Sequence, residues 1–256
     1  MKTVLITGST SGIGLGIARE FAKTKNYNII FNGLEANGLQ IAEDLGKEFG
    51  IDILFNNANM LEPEALRAMV NEGIDKFGKI DVLVNNAGIQ HVSPIEDFPD
   101  DKWNAIIGIN LSSAFHLSKA VWKGMKANKF GRIINIASAH GLVASEFKSA
   151  YVASKHGIVG FSKTLGLEGA PFNITCNAIC PGYVKTPLVE KQIADQAKAH
   201  TMSEADVINK VLLAKQAVKE FVTVESIGQM AVLLASEQSS TITGATISID
   251  GGWGAQ

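Results

Sequence analysis

The chain has 256 residues, 46% of them apolar and 19% charged, with a formal net charge of −2. That balance excludes a disordered chain and gives no electrostatic reason to bind nucleic acid or an anionic membrane. The apolar run Val4-Leu5-Ile6 follows the first methionine too closely for a signal peptide, and no later run is long enough to span a bilayer, so a cytoplasmic protein is expected.

Short apolar runs bounded by turn residues predict strands at 3–6, 28–31, 52–55, 82–84, 132–136, 174–179 and 245–249. Between them lie segments with helical spacing, such as Ile13, Ile17, Ala18 and Phe21. Strand–helix alternation with uninterrupted apolar strands implies a parallel sheet covered by helices on both faces. After Pro181-Gly182-Tyr183-Val184-Lys185-Thr186-Pro187 the rhythm breaks. A helical stretch richer in Lys, Ala, Gln and Asp runs to about residue 219. It is either a substrate lid at about 186–219 or a surface helical hairpin.

The two cysteines, Cys176 and Cys180, sit on one predicted strand. Four residues at roughly 3.3 Å each separate them by about 13 Å, too far for a disulfide. With no further soft or imidazole ligands nearby, buried thiols are expected and a metal site is not.

Chemistry is concentrated in two motifs. The first is Thr7-Gly8-Ser9-Thr10-Ser11-Gly12-Ile13-Gly14, which runs from the first strand into the first helix. Gly8, Gly12 and Gly14 remove side chains where backbone must approach a pyrophosphate, and the helix N-terminus offers free N–H groups. The second is Ser138 with Tyr151 and Lys155. A free tyrosine has a pKa near 10, and a nearby cation favours its phenolate. Positions i and i+4 share a helix face, so Lys155 can lie beside Tyr151. Ser138, past the end of the strand at 132–136, can hold a reacting oxygen.

Together these motifs give the chain a resemblance to the short-chain dehydrogenases/reductases, over essentially its full length. Asn85-Asn86-Ala87-Gly88, Asn110, Pro181-Gly182 and Asp250-Gly251-Gly252 extend it in the family's order. The resemblance implies one Rossmann-like doubly wound α/β domain over 1–256, with about seven parallel strands. It implies Tyr151 as general acid/base, Lys155 as proton shuttle, Ser138 as orienter and Asn110 as holder of a water between Lys155 and solvent. The cofactor would lie on Gly8, Thr10, Ser11, Gly12, Ile13, Gly14, Leu34, Asn59 and Met60. It would continue over Asn86, Ala87, Gly88, Tyr151, Lys155, Pro181, Gly182, Val184 and Thr186. Asn59 stands where relatives usually have Asp and would bond the adenine amino group through its carbonyl oxygen. The second strand leads into Asn32-Gly33-Leu34-Glu35, with neither Asp nor Arg at the turn, and Ser11 is not basic. The absence of a cation favours NAD over NADP.

Within the family, Gln90, His140, Lys148, Gln192 and the ending Asp250-Gly251-Gly252-Trp253 look like the D-3-hydroxybutyrate dehydrogenases. That likeness implies a small carboxylate substrate held by Gln90, His140, Lys148 and Gln192, with Trp253 closing the pocket around Ser138 and Tyr151. Tyr183 stands where relatives often have Trp. The alternatives are a reductase of another substrate, such as a 3-oxoacyl thioester or a sugar, or a protein that only binds nucleotide. Relatives are usually homotetramers, and the apolar segment 103–127 can serve as an interface or pack internally.

Overall fold

The computed structural model describes residues 1–186, 189, 193 and 202–255. Seven strands form one all-parallel sheet in the order β3-β2-β1-β4-β5-β6-β7. They are β1 (Lys2–Ile6), β2 (Tyr27–Asn32), β3 (Ile53–Asn56), β4 (Val82–Asn85), β5 (Gly131–Ile136), β6 (Ile174–Pro181) and β7 (Thr246–Ile249). Each lies within two residues of its expected bounds. The helices are α1 (Gly12–Lys23), α2 (Gly38–Phe49), α3 (Pro63–Phe77), α4 (Asp100–Ile107), α5 (Ser113–Asn128), α6 (Ser149–Gly169) and, after the excursion, α7 (Val224–Ala235).

Strand side chains alternate between faces, so each strand feeds two cores. Val4 and Ile6 pack with Ile17 and Phe21 of α1, Leu45 of α2 and Ile227 of α7. Leu5 points the other way, into Leu66 and Met69 of α3 and Leu117 of α5. Ile158 and Val159 of α6 pack with Ala178 and Cys180 of β6. Burying one such side chain stabilises the fold by about 1.5–3 kcal/mol, which is why a sheet with two apolar faces needs helices on both. Both cysteines are buried free thiols, as their pattern implies.

The order reverses at β1, which pairs with β2 on one side and β4 on the other. Chain leaving β1 therefore turns to one face and chain leaving β4 to the other. This opens a crevice at the carboxyl ends of the strands, where an open α/β sheet places its ligands. The excursion after β6 is helical at Glu204–Asp206 and continues as a π-helix over Val207–Leu212. It then turns and rejoins the fold through a Val184–Val222 bridge, so the helical pattern stops at 212 and not at 219. Val189 and Ile193 pack with Tyr183, Val207 and Leu212. Among the described residues no helix is long and apolar enough to cross a membrane.

At the opposite, amino end of the sheet, Arg132 is 1% exposed. Its guanidinium donates to the carbonyls of Gly131, Asn173 and Ser236 and lies 4.4 Å from the Phe130 ring centroid. A buried cation is tolerated because these acceptors replace its water. Removing it takes a donor from each acceptor, although Asn173 O keeps the Gly131 N–H. Arg132→Ala should lower unfolding free energy by about 3 kcal/mol in urea titrations, with cofactor affinity unchanged because the site lies at the other end. A loss below about 1 kcal/mol would mean that water satisfies those carbonyls.

Candidate active site

The glycine turn leaves β1 with Gly8 at φ 59° and Gly12 at φ 51°, the left-handed region that glycine occupies without a Cβ clash. A Cβ on Gly12 would meet only Thr186 Cγ2, at 3.7 Å, and would otherwise project into open space. Ser11 heads α1 but makes no side-chain cap, which leaves the first N–H groups of the helix facing that space. The cradle fits a pyrophosphate. Asn86 Nδ2 holds the loop in place by donating to the carbonyls of Thr7 (2.8 Å) and Gly8 (3.0 Å).

A cavity of about 680 Å³ opens here, walled by Ser11, Gly14, Leu34, Asn59, Met60 and Ala87 along with the glycines. A second, of about 600 Å³, shares Ile13, Asn86, Gly88, Ile89 and Thr186 with the first, so the two form one continuous cleft. Gly182 and Val184 line the second. Two expected cofactor residues are absent from the lining of both cavities. Thr10 is buried, with its hydroxyl turned onto Glu35. Pro181 ends β6 within the sheet and lines neither cavity. Asn59 borders the first cavity, but its amide is committed to the start of α3: Oδ1 accepts from Leu61 N–H and Nδ2 donates to Glu62.

Glu35 is a site residue that the strand pattern alone does not reveal. Its carboxylate accepts from the hydroxyls of Thr10 and Ser11, the latter at 3.0 Å, at the mouth of the first cavity. The Thr10 bond, chiefly, holds its pKa below the usual carboxylate range. Glu35 lies three residues beyond β2 and reaches back over Gly33. A Cβ on Gly33 would collide with Thr10 Oγ1 and fall 2.7 Å from Glu35 Oε2. The readable signal was a glycine at the strand end with an acid two residues on.

The proton-transfer groups come together where β5 faces α6. Ser138 and Tyr151 line one cavity, and Lys155 Nζ donates to Ile136 O at 2.8 Å, 5.5 Å from the Tyr151 ring centroid. Burial lowers Lys155 to about 8. Tyr151 departs from the sequence expectation: burial raises its pKa, opposed by the Ser138 hydroxyl, and Lys155 is not among the causes. The ammonium is pinned to a backbone carbonyl, and desolvation prevails at the phenol.

Asn110 lies on a π-bulge, Gly108–Ser112, between α4 and α5. Its amide is held by Ile89 on both sides, through N–H (2.9 Å) and C=O (3.0 Å), and donates to Ser154 Oγ. It makes no hydrogen bond to Lys155. A Cβ on Gly88 would fall 3.3 Å from Asn110 Oδ1 and 3.7 Å from Lys155 Nζ, so both groups border this bare glycine.

The second cavity collects Gln90, Ser138, His140, Lys148, Tyr151 and Trp253. Trp253 stacks on Tyr183, with planes at 3°, and meets the His140 ring edge-on at 5.0 Å. Asp250 accepts from Gly252 and Gly254 N–H and fixes the turn that delivers Trp253. Burial, then the charges of Lys148 and Lys215, lowers His140 to about 4, so the imidazole is neutral. Burial and Lys215 also lower Lys148. No acidic side chain lines this cavity among the described residues. Val189, Val211 and Leu212 border it from the excursion, while Gln192 lies outside the described residues. Lys215 has no sequence signal; only the path of the turn after Leu212 places its charge near His140.

An array of phenol, ammonium and hydroxyl beside a dinucleotide-shaped cleft suits proton transfer coupled to hydride transfer. Known proteins agree. The family described as short chain dehydrogenase matches residues 2–197. The chain is 51% identical to D-beta-hydroxybutyrate dehydrogenase of Rhizobium meliloti (strain 1021), covering 100% of this chain and 99% of that one. It is 49% identical to the protein of that name from Cupriavidus necator, covering 100% and 98%. Among solved structures, a variant of actinorhodin polyketide ketoreductase with NADPH superposes with a TM-score of 0.92 at 31% identity, over 100% of this chain and 98% of that one. With the glycine turn, the Ser138, Tyr151 and Lys155 set and the sheet order all in place, this chain belongs to the short-chain dehydrogenase family.

Proposed function

We propose that the protein oxidises (R)-3-hydroxybutyrate to acetoacetate with NAD and catalyses the reverse reduction. The observation that carries this reading is one cavity that joins the proton-transfer groups to Lys148 and Gln90 with no carboxylate in its described lining. Such a lining favours a small anion. The names of the two half-identical relatives point the same way.

Lys148 and Gln90 hold the substrate carboxylate, with Gln192 as a further ligand, while Trp253 and Tyr183 close an apolar wall against the short carbon chain. Ser138 donates to the substrate oxygen, and Tyr151 takes the hydroxyl proton in oxidation and returns it in reduction. Lys155 relays that proton toward solvent through a water held by Asn110. The dinucleotide, when bound, takes up or gives back the hydride. Its diphosphate rests on the cradle at Gly12, and Glu35 faces the adenosine ribose. A carboxylate there accepts from ribose hydroxyls and repels a 2′-phosphate, which supports NAD. Exposed Phe115 on α5 and Leu167 on α6 support assembly as a homotetramer.

NADH formation with (R)- and (S)-3-hydroxybutyrate, each with NAD and NADP, tests the reading directly. Turnover restricted to the (R) enantiomer and NAD is expected. In Tyr151→Phe it should fall by at least about 100-fold, with NADH fluorescence titration unchanged; abundant turnover there would overturn the acid/base assignment. Lys148→Ala should raise KM for the carboxylate about tenfold, the size of a lost charged hydrogen bond, and leave KM for a neutral ketone of similar size unaffected. Equal effects on both would remove Lys148 from the grip. Glu35→Ser should raise kcat/KM for NADP relative to NAD by about tenfold or more, because a like charge no longer opposes the phosphate. An unchanged ratio would mean that the carboxylate does not face the ribose.

A further inference from the structure

Ser145 lies in the loop between Ser138 and α6, and its Oγ is 3.0 Å from His140 Nε2. The other ring nitrogen, Nδ1, faces Ser138 Oγ at 3.5 Å, while the His140 backbone N–H donates to that same oxygen at 3.1 Å. Ser138 shares its cavity with Tyr151. His140 therefore sits between two serines, one of them at the reacting centre. A neutral imidazole has one donor and one acceptor nitrogen, and the partner of one decides the role of the other.

Ser138 has a single proton, and catalysis needs that proton on the substrate oxygen. If Nδ1 were bare, it would compete for it. If Nδ1 carries hydrogen, it can only donate toward Ser138 Oγ and the Ser138 proton stays free. That tautomer leaves Nε2 as an acceptor inside a buried ring, where an unpaired acceptor is costly. Ser145 is the hydroxyl placed to donate to it.

We propose that Ser145 is a positioning residue: it donates to His140 Nε2, fixes the Nδ1–H tautomer and so keeps the Ser138 proton directed at the reacting oxygen. His140 then acts on Ser138 through Nδ1 while Ser145 takes up Nε2. The charges around the ring are those of Lys148, Lys215 and His156, all of which disfavour an imidazolium and leave the tautomer as its one variable. Tyr151 and Trp253 pack edge-on against the ring and hold its plane. The inference rests on Ser138 and Tyr151 being the reacting groups.

The test compares Ser145→Ala and Ser145→Thr with the full-length parent. Steady-state rates are taken on (R)-3-hydroxybutyrate and on a neutral secondary alcohol of similar size, and nitrogen-15 NMR of labelled histidines is recorded, with the His140 signals identified by their loss in His140→Gln. Ser145→Ala is expected to lower kcat about tenfold on both substrates, the effect of one ordinary hydrogen bond, with KM within about twofold. Threonine should restore most of the rate. The His140 nitrogens should report Nδ1–H in the parent and a shift toward Nε2–H in Ser145→Ala. A KM change confined to the carboxylate substrate, an unchanged kcat, or an Nε2–H parent would each overturn the proposal. Tyr151→Phe separates the two levels: its inactivity beside a fully active Ser145→Ala refutes the role of Ser145 alone, whereas its activity removes the assignment beneath it.

Discussion

The bond from Lys155 Nζ to the Ile136 carbonyl, 2.8 Å long, is the joint on which the site is built. A fully buried ammonium must find acceptors or lose its proton. This one finds the last carbonyl of β5, so α6 is locked in register with the strand whose end delivers Ser138. Tyr151, one turn earlier on α6, is thereby placed against Ser138, and one contact sets the distances among all three groups. It also lowers the freedom of the ammonium to act on the phenol directly. Tyr151 accordingly feels its burial more than its neighbouring cation.

The same economy of backbone operates across the cleft. Asn86 ties the turn after β4 to the glycine loop after β1, and Asn110 ties the π-bulge to Ile89 just beyond that turn. Neither amide is free to contact a ligand with all of its groups, because each satisfies backbone that would otherwise be unpaired at the mouth of a crevice. The site is thus a set of strand ends held at fixed spacing by side-chain amides, over which aromatic rings from two distant segments, Tyr183 and Trp253, close like facing plates.

Much of this was legible in the residues. The alternation of apolar runs and helical spacing identified all seven strands, because a strand buried on both faces is apolar throughout and bounded by turn residues. The glycine turn and the Tyr151–Lys155 spacing were legible because both are local: a turn and a single helical face. Glu35 was legible only as an acid two residues past a strand-end glycine, since its contacts depend on a chain reversal over Gly33 toward Ser11, 24 residues earlier. The π-bulge at Asn110 was hidden because a helical pattern does not reveal one extra residue in a turn. The placement of the Thr10 hydroxyl on Glu35 was hidden because the partner lies 25 residues away.

The sequence carried the sheet, the glycine turn and the spacing that lets Ser138, Tyr151 and Lys155 meet, because these follow from periodicity and short separations. Tertiary structure alone decided the pKa of Tyr151, the neutrality of His140, and the convergence of Ser145, Lys215 and Glu35 on their partners. Those properties depend on burial and on charges brought together from distant parts of the chain, and desolvation and Coulomb interaction act through space without regard to position along it.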